Sequence, residues 1–116
     1  MRYRVERAAE VVGDLKLVFD HLTAAYVTFG EPLSEAKRHA VDRIDGIQDA
    51  MLALGRTPHQ GTLRLELGQA VRSVTKARAV FYFEVDDDQL RVRVLAVFFG
   101  GRDHTRHMLQ RSLAAL

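Results

Sequence analysis

Between positions 9 and 54, apolar side chains recur at three- and four-residue steps in two runs. This spacing constrains the fold more than any other feature of the sequence. Residues at such steps share one face of a helix, so each run predicts a helix. Gly30 and Pro32 are predicted to end the first helix, Ser34 to cap the second, and Gly55 to end it. The connection Gly-Glu-Pro-Leu predicts an antiparallel helical hairpin. The two apolar faces are Leu15, Val18, Phe19, Leu22, Tyr26 and Phe29, and Ala36, Ala40, Ile44, Ile47, Met51 and Leu54.

On both sides of the predicted hairpin, apolar and polar residues alternate along the chain. Tyr3 and Val5 alternate with arginines, which predicts a short strand before it. The segments TLRLELG, AVRSVTK, RAVFYFEV and LRVRVLAVFF follow it, and their alternating or β-branched and aromatic residues predict further strands. The short turns TKAR and DDDQ favour antiparallel pairing. Helical spacing returns in residues 104–116, with an apolar stripe of Met108, Leu109, Leu113 and Leu116.

This order predicts an α+β fold: an N-terminal strand, a two-helix hairpin packed on a three- to four-stranded antiparallel sheet, and a short C-terminal helix. The 116 residues suit a single domain spanning residues 1–116. Cysteine is absent, which excludes disulfides and thiolate zinc sites. The sequence lacks a signal peptide and any apolar run long enough to span a membrane, so we expect a cytoplasmic protein. We expect neither a cofactor nor a metal.

The net charge of +2 is unevenly distributed. Residues 1–50 carry seven Lys/Arg against nine Asp/Glu, whereas residues 51–116 carry ten against six. Arginine outnumbers lysine fourteen to three, and its planar guanidinium suits phosphate and carboxylate groups. The asymmetry indicates an acidic or nucleic-acid partner. A genome composition that favours arginine codons explains the arginine excess equally well.

The chain contains the segments GDLKLVFDHL and AVRSVTKARAVFYFEVDDDQLRVRVLAVFFGGRD. These segments, and the order of the elements along nearly the whole chain, resemble the RelE/ParE superfamily of bacterial toxins. GDLKLVFDHL resembles its first helix. AVRSVTKARAVFYFEVDDDQLRVRVLAVFFGGRD resembles its signature: an arginine entering a strand, a tyrosine-bearing strand, an acidic turn, and an apolar strand leading to an Arg-Asp pair. The resemblance implies a toxin of a type II toxin–antitoxin system, neutralised by a cognate antitoxin that wraps an acidic segment over it. RelE-like members cleave mRNA on the ribosome without a metal, and ParE-like members inhibit DNA gyrase.

The resemblance implies phosphate-binding roles for Arg72 and Arg102, which we expect to meet at the rim of the sheet. Because imidazole side chains can both donate and accept protons, His104 and His107 become the acid and base if the protein is a nuclease. Structural alternatives stay open for all four residues. The arginines suit ion pairs with acidic neighbours, and the histidines suit helix capping or an exposed surface.

Other candidates lie in and beside the predicted tyrosine-bearing strand. Tyr82 either points into a groove or packs in the core with its hydroxyl satisfied. Glu84, on the same strand face, is either a base or a cross-strand partner for an arginine such as Arg93. Residues 86–88 are three consecutive aspartates, which cannot all point inward, so they predict a solvated turn rather than a magnesium site.

The low basic density favours a ParE-like function. Between the hairpin and Arg72 the chain offers only Arg56, His59 and Arg64, and each bound phosphate requires a cation. We therefore predict a gyrase inhibitor whose target contacts come from Arg64, Arg72, Arg102 and Arg106, with residues 102–106 central. The alternative is a ribosome-dependent mRNA endoribonuclease. A second alternative is a non-toxic binding module or an inactive relative.

Overall fold

The computed structural model describes residues 2–99 and 104–114. Its elements in chain order are β1 (Arg4–Arg7), α1 (Glu10–Thr28), α2 (Leu33–Ala53), β2 (Thr62–Leu63), β3 (Val71–Lys76), β4 (Ala79–Asp86), β5 (Arg91–Phe99) and α3 (His104–Ala114). The predicted α+β fold is confirmed. Within the described residues, no helix combines the length and the apolar character needed to cross a membrane.

The strands form one five-stranded sheet in the order β1-β5-β4-β3-β2. The strands β2 to β5 pair antiparallel with their neighbours, as the short turns predict. The N-terminal strand β1 joins the same sheet and runs parallel to β5, from Arg4 opposite Arg91 to Arg7 opposite Val94. The sheet is therefore wider by one strand than the predicted antiparallel part.

The helical hairpin covers one face of this sheet and forms the main core. The predicted apolar faces are confirmed, with residues such as Val18 and Ile47 packing on Phe81 and Phe83 of β4. Phe29 is the exception, because it lies beyond the last residue of α1 and is 85% exposed. The second sheet face is covered by α3, whose Met108 packs on Val80, Tyr82 and Ala96.

The predicted stripe of α3 does not form its packing face. Met108 is buried, but Leu109 and Leu113 are exposed, and Leu116 lies outside the described residues. The inward side of α3 also carries polar side chains, including His104 and Arg111, which bond to groups of the sheet and of α1. The apolar stripe predicted from the sequence therefore gives the wrong packing face for α3.

Two predicted helix signals of the hairpin act differently in the structure. Ser34 does not cap α2, because the helix begins one residue earlier, at Leu33, after Pro32. Gly55 follows the end of α2, but its role is to let β1 approach. The Tyr3 amide donates to the Gly55 carbonyl at 2.7 Å, and a Cβ at Gly55 would collide with the Tyr3 carbonyl oxygen.

The strand predicted over residues 62–68 is wrong for most of its length. Only Thr62 and Leu63 form β2, because the backbone turns after Arg64. The Arg64 amide donates to the Val71 carbonyl at 2.8 Å, and the Leu67 amide donates back to the Arg64 carbonyl at 2.9 Å. Leu65 and Leu67 then lie outside the β2–β3 pair, and Leu65 is exposed.

The β3–β4 turn provides a test of backbone strain. Ala77 and Arg78 have φ values of 53° and 61°, as a type I′ hairpin turn requires of its two central residues. A residue with a Cβ is strained there by roughly 1 kcal/mol. We expect Arg78→Gly to raise the free energy of unfolding by about 0.5 kcal/mol. Urea denaturation measures this change.

Arg78→Ala is the matched control, because it removes the same side chain and keeps the Cβ. We expect it to leave the free energy of unfolding lower than that of Arg78→Gly. Equal stabilities of the glycine and alanine variants would contradict the assignment of strain to this turn.

Candidate functional site

Polar side chains from four segments form a row across the sheet face that α3 covers. The Arg64 Nε donates to the Ser73 Oγ at 2.8 Å. Ser73 lies directly opposite Tyr82 in the β3–β4 pair, so both side chains project from the same face. The Tyr82 hydroxyl and the His104 Nδ1 are 2.7 Å apart. The row Arg64–Ser73–Tyr82–His104 thus reaches from β2 to the start of α3.

Tyr82 is fully buried within this row. Met108 packs against it, and the rings of Phe98 and His104 lie 5.9 and 5.8 Å from its ring. Of its two predicted alternatives, the packed tyrosine with a satisfied hydroxyl is confirmed. Glu84 lies opposite Arg93 in the register of β4 and β5, so its predicted cross-strand position is confirmed as well.

A partly buried ion pair fixes α3 to the rest of the molecule. The Arg111 guanidinium donates to both carboxylate oxygens of Asp14 on α1, at 2.6 and 3.0 Å, and also lies 3.3 Å from the Leu95 carbonyl. The same carboxylate accepts the Val97 amide at 3.0 Å. Asp14 is only 4% exposed. Its hydrogen bonds to Arg111 raise the pKa of the guanidinium.

The ion pair completes an edge of the sheet. Within the described residues, β1 pairs with β5 as far as Val94, and the edge beyond it offers unpaired amide and carbonyl groups. Asp14 accepts the Val97 amide and Arg111 donates to the Leu95 carbonyl. These two side chains therefore satisfy backbone groups that would otherwise be exposed to strand addition or buried without partners.

A second polar cluster lies near the β4–β5 turn. The Asp87 Oδ1 accepts the Tyr3 hydroxyl at 2.7 Å and lies 2.7 Å from the His59 Nε2. The Arg72 Nη1 donates to the His59 carbonyl at 2.9 Å. The bonds from Tyr3 and His59, with the nearby Arg72 charge, lower the pKa of Asp87. The bond to Asp87 raises the pKa of Tyr3.

The structure separates Arg72 from the two histidines. Arg72 lies opposite Phe83, which packs against the hairpin, so Arg72 projects from the hairpin side of the sheet. His104 contacts Tyr82 on the other face, and His107 stacks on Phe98 with ring centroids 6.1 Å apart. These predicted catalytic residues therefore do not converge.

Arg102 lies outside the described residues, so its predicted meeting with Arg72 stays a prediction. The register gives the position at which β5, the strand that precedes Arg102 in the chain, ends on the sheet. Phe99, the last residue of β5, lies opposite Ala79, which lies opposite Lys76. Arg72 is four positions before Lys76 on β3, about 13 Å along the strand. Arg106 is exposed on α3.

Sequence reasoning missed the partners of Asp14 and Asp87. Asp14 carries a detectable signal, because it lies on the apolar face of α1 between Val11 and Val18, and a carboxylate on such a face requires a partner. Nothing in the sequence identifies that partner as Arg111. Asp87 lies in the predicted solvated turn and is exposed, but it also joins Tyr3 and His59. Across residues 2–99 and 104–114, no three His, Asp or Glu side chains cluster as metal ligands.

These features define a class of protein: a small α+β domain with a helical hairpin on one sheet face and a basic C-terminal helix on the other. The chain is similar to a chain of the chromosomal ParDE toxin–antitoxin system from P. aeruginosa, with 18% identity, a TM-score of 0.62, and coverage of 85% of this chain and 97% of that one. It is also similar to a chain of the toxin–antitoxin complex RelBE2 from Mycobacterium tuberculosis, with 21% identity, a TM-score of 0.55, and coverage of 88% and 95%. No family model and no curated protein matches the sequence. The chain thus has the RelE/ParE fold.

Removing Arg111 should weaken the attachment of α3. Arg111→Met leaves the Asp14 carboxylate buried with the Val97 amide as its remaining partner, so we expect the free energy of unfolding to fall by about 2 kcal/mol. Urea denaturation followed by circular dichroism measures the change, and a double-mutant cycle with Asp14→Asn isolates the pair. Gln110→Met, an exposed change on the same helix, serves as the control. A coupling energy near zero in the cycle would show that the ion pair does not stabilise the fold.

The Asp87 cluster predicts a pH dependence of stability. Because the folded-state pKa of Asp87 is lowered, its contribution is present above the ordinary aspartate pKa and is lost as the pH falls through the lowered value. Relative to Asp87→Asn, the wild-type protein should therefore lose stability at acid pH. Unfolding curves between pH 2 and 7 test this, with the neighbouring Asp88→Asn as the control. Parallel curves for wild type and Asp87→Asn would contradict it.

Proposed function

We propose that this protein is the toxin of a type II toxin–antitoxin system and that it acts, like ParE, by binding DNA gyrase rather than by cleaving RNA. Its fold, shared with chains of the ParDE and RelBE systems, supports the first part. The basic second half of the chain supports a cognate antitoxin with an acidic segment.

The burial of Tyr82 under α3 is the observation that carries the ParE-like assignment. Metal-free RNA cleavage requires a base, an acid and a phosphate-binding cation within reach of one phosphodiester. On the face covered by α3, the Tyr82 hydroxyl is bonded to His104 and enclosed. Arg72 projects from the opposite face and holds the His59 carbonyl. A binding function needs no such convergence.

The proposed target contacts divide between two sides of the molecule. Arg64 and α3, which carries Arg106, belong to the same side of the sheet. Residues 104–106, the described part of the predicted contact segment, begin α3 on that side, so we assign that side the main contact with gyrase. Arg72 lies on the hairpin side, where it contributes to the contact only if gyrase reaches around the β2 edge.

A RelE-like nuclease is the second candidate, and the row Arg64–Ser73–Tyr82–His104 favours it. This row contains a cation, two hydroxyls and an imidazole on one sheet face, which are groups suited to phosphodiester cleavage. It becomes accessible to mRNA only if α3 leaves the sheet. Tyr82→Phe removes just the hydroxyl from the row, so this variant distinguishes the two functions.

Purified full-length protein should inhibit supercoiling by purified gyrase at stoichiometric excess, and its induced expression should arrest growth. Tyr82→Phe and the double variant His104→Ala/His107→Ala should still inhibit gyrase and arrest growth. A toxin that acts by binding needs neither the tyrosine hydroxyl nor the imidazoles as catalysts. Supercoiling assays and growth curves measure these outcomes.

Three results would overturn the proposal. Gyrase that stays active, together with mRNA ends that map to the ribosomal A site in translation extracts, would favour the nuclease. Loss of growth arrest in Tyr82→Phe would favour it too. Unchanged growth on induction would favour a non-toxic binding module. Copurification with the product of an adjacent reading frame tests the antitoxin separately.

A further inference from the structure

A pocket of about 170 Å³ lies between α1, the end of β5 and α3. We propose that it receives one large apolar side chain from a carboxylate-rich segment of a protein partner. In naming the antitoxin as that partner, the inference rests on the proposed function. The pocket and its chemistry are properties of the chain itself.

The lining of the pocket is mostly apolar and includes four polar side chains. Leu17 and Val18 of α1 face Val97, Phe98 and Phe99 of β5, and the remaining lining residues are Asp14, His21, His107 and Arg111. An apolar cavity of about 150 Å³ accepts a benzene ring. The volume therefore suits one phenylalanine or leucine side chain.

The aromatic walls are held in place before any partner arrives. The Arg111 guanidinium lies 5.4 Å from the centroid of the Phe98 ring, and His107 stacks on the same ring. Phe99 has Arg43 at 5.5 Å and His21 at 6.0 Å. Because Arg111 is itself bonded to Asp14, the pocket is preorganised, which reduces the entropic cost of binding.

The surroundings of the pocket favour an acidic segment. Residues 104–114 contain two arginines and two histidines but no Asp or Glu. The β3–β4 turn, with Lys76 and Arg78, lies at the end of the sheet where β5 ends, because Ala79 pairs with Phe99. Carboxylates are present as well. Asp14 is buried and bonded to Arg111 and Val97. The negative charge of Glu10 contributes to the raised pKa of Arg111.

Leu17 marks the mouth of the pocket. It is a pocket-lining residue on α1, yet 62% of its surface is exposed. An apolar side chain from a partner would cover it, and flanking carboxylates would face the cations of α3 and of the β3–β4 turn. Nucleic acid fits less well, because five of the nine lining residues have no polar side-chain atom with which to read a base.

The first test uses small probes on the full-length protein. We expect 4-methylpentanoate, a leucine-like group with a carboxylate, to bind with a dissociation constant on the order of millimolar. The matched cation 3-methylbutylamine should bind about tenfold more weakly or not at all. Amide chemical shifts of Leu17, Val97 and Phe99 follow the titrations.

Leu17→Glu should abolish binding of 4-methylpentanoate, and Leu17→Gln should weaken it less, because glutamine adds no repelling charge. The matched control is Leu52→Glu on α2, where the leucine is 63% exposed. This control should bind like the wild type. Circular dichroism verifies that each variant is folded.

The second test uses the adjacent-frame antitoxin in coexpression. We expect it to copurify with wild type and Leu52→Glu and to be lost or depleted with Leu17→Glu. Equal recovery with Leu17→Glu would overturn the docking inference and leave the toxin–antitoxin function standing. If no partner copurifies with any variant, the proposed function fails and the probe titrations decide the inference. Equal binding of 3-methylbutylamine and 4-methylpentanoate would overturn the docking inference. Amide chemical shifts that change only when a short oligonucleotide is added would also overturn it.

Discussion

The ion pair between Asp14 and Arg111 supports most of what distinguishes the α3 side of the molecule. In the described part of the chain, β1 pairs with β5 from Arg91 to Val94, and Asp14 and Arg111 take over the exposed backbone groups at Leu95 and Val97. Because Arg111 belongs to α3, the same bonds that complete the sheet edge also hold the helix on the sheet. The burial of Tyr82 and the walls of the pocket both follow from that attachment.

The directions of the strands give the sheet two ends of different chemistry. β3 and β5 run the same way, because each is antiparallel to β4. The start of β3 and the end of β5 therefore lie at opposite ends. One end carries Asp87 and its cluster with Tyr3 and His59. The other carries Lys76, Arg78 and the basic α3, and it is the end suited to an acidic partner.

The predictable part of the structure is the part determined by local periodicity. The helix faces and the strands β3 to β5 follow from spacing, because burial repeats along each element. The strand predicted over residues 62–68 is wrong beyond Leu63, because the backbone turns after Arg64 and Leu65 and Leu67 have no strand opposite them. The position of Arg72 could not be deduced, since its sheet face depends on register with Phe83. Asp14 and Arg111 are 97 residues apart in the sequence. Periodicity within one element cannot predict a contact between residues so far apart.

The attachment of α3 also bears on how the protein acts. Exposing the Tyr82 hydroxyl would require losing the burial of Met108, the Tyr82–His104 hydrogen bond and the Asp14–Arg111 ion pair. Burial of a methionine contributes about 2 kcal/mol and a hydrogen bond about 1 kcal/mol, and the ion pair adds to this. An opening free energy of about 4 kcal/mol leaves roughly one molecule in a thousand open, since each 1.4 kcal/mol is a factor of ten. RNA cleavage would have to proceed through that minor population or bind it tightly enough to reverse the ratio. A toxin that binds its target through the surface formed by α3 uses the populated state directly, so the energetics of this helix favour a binding function.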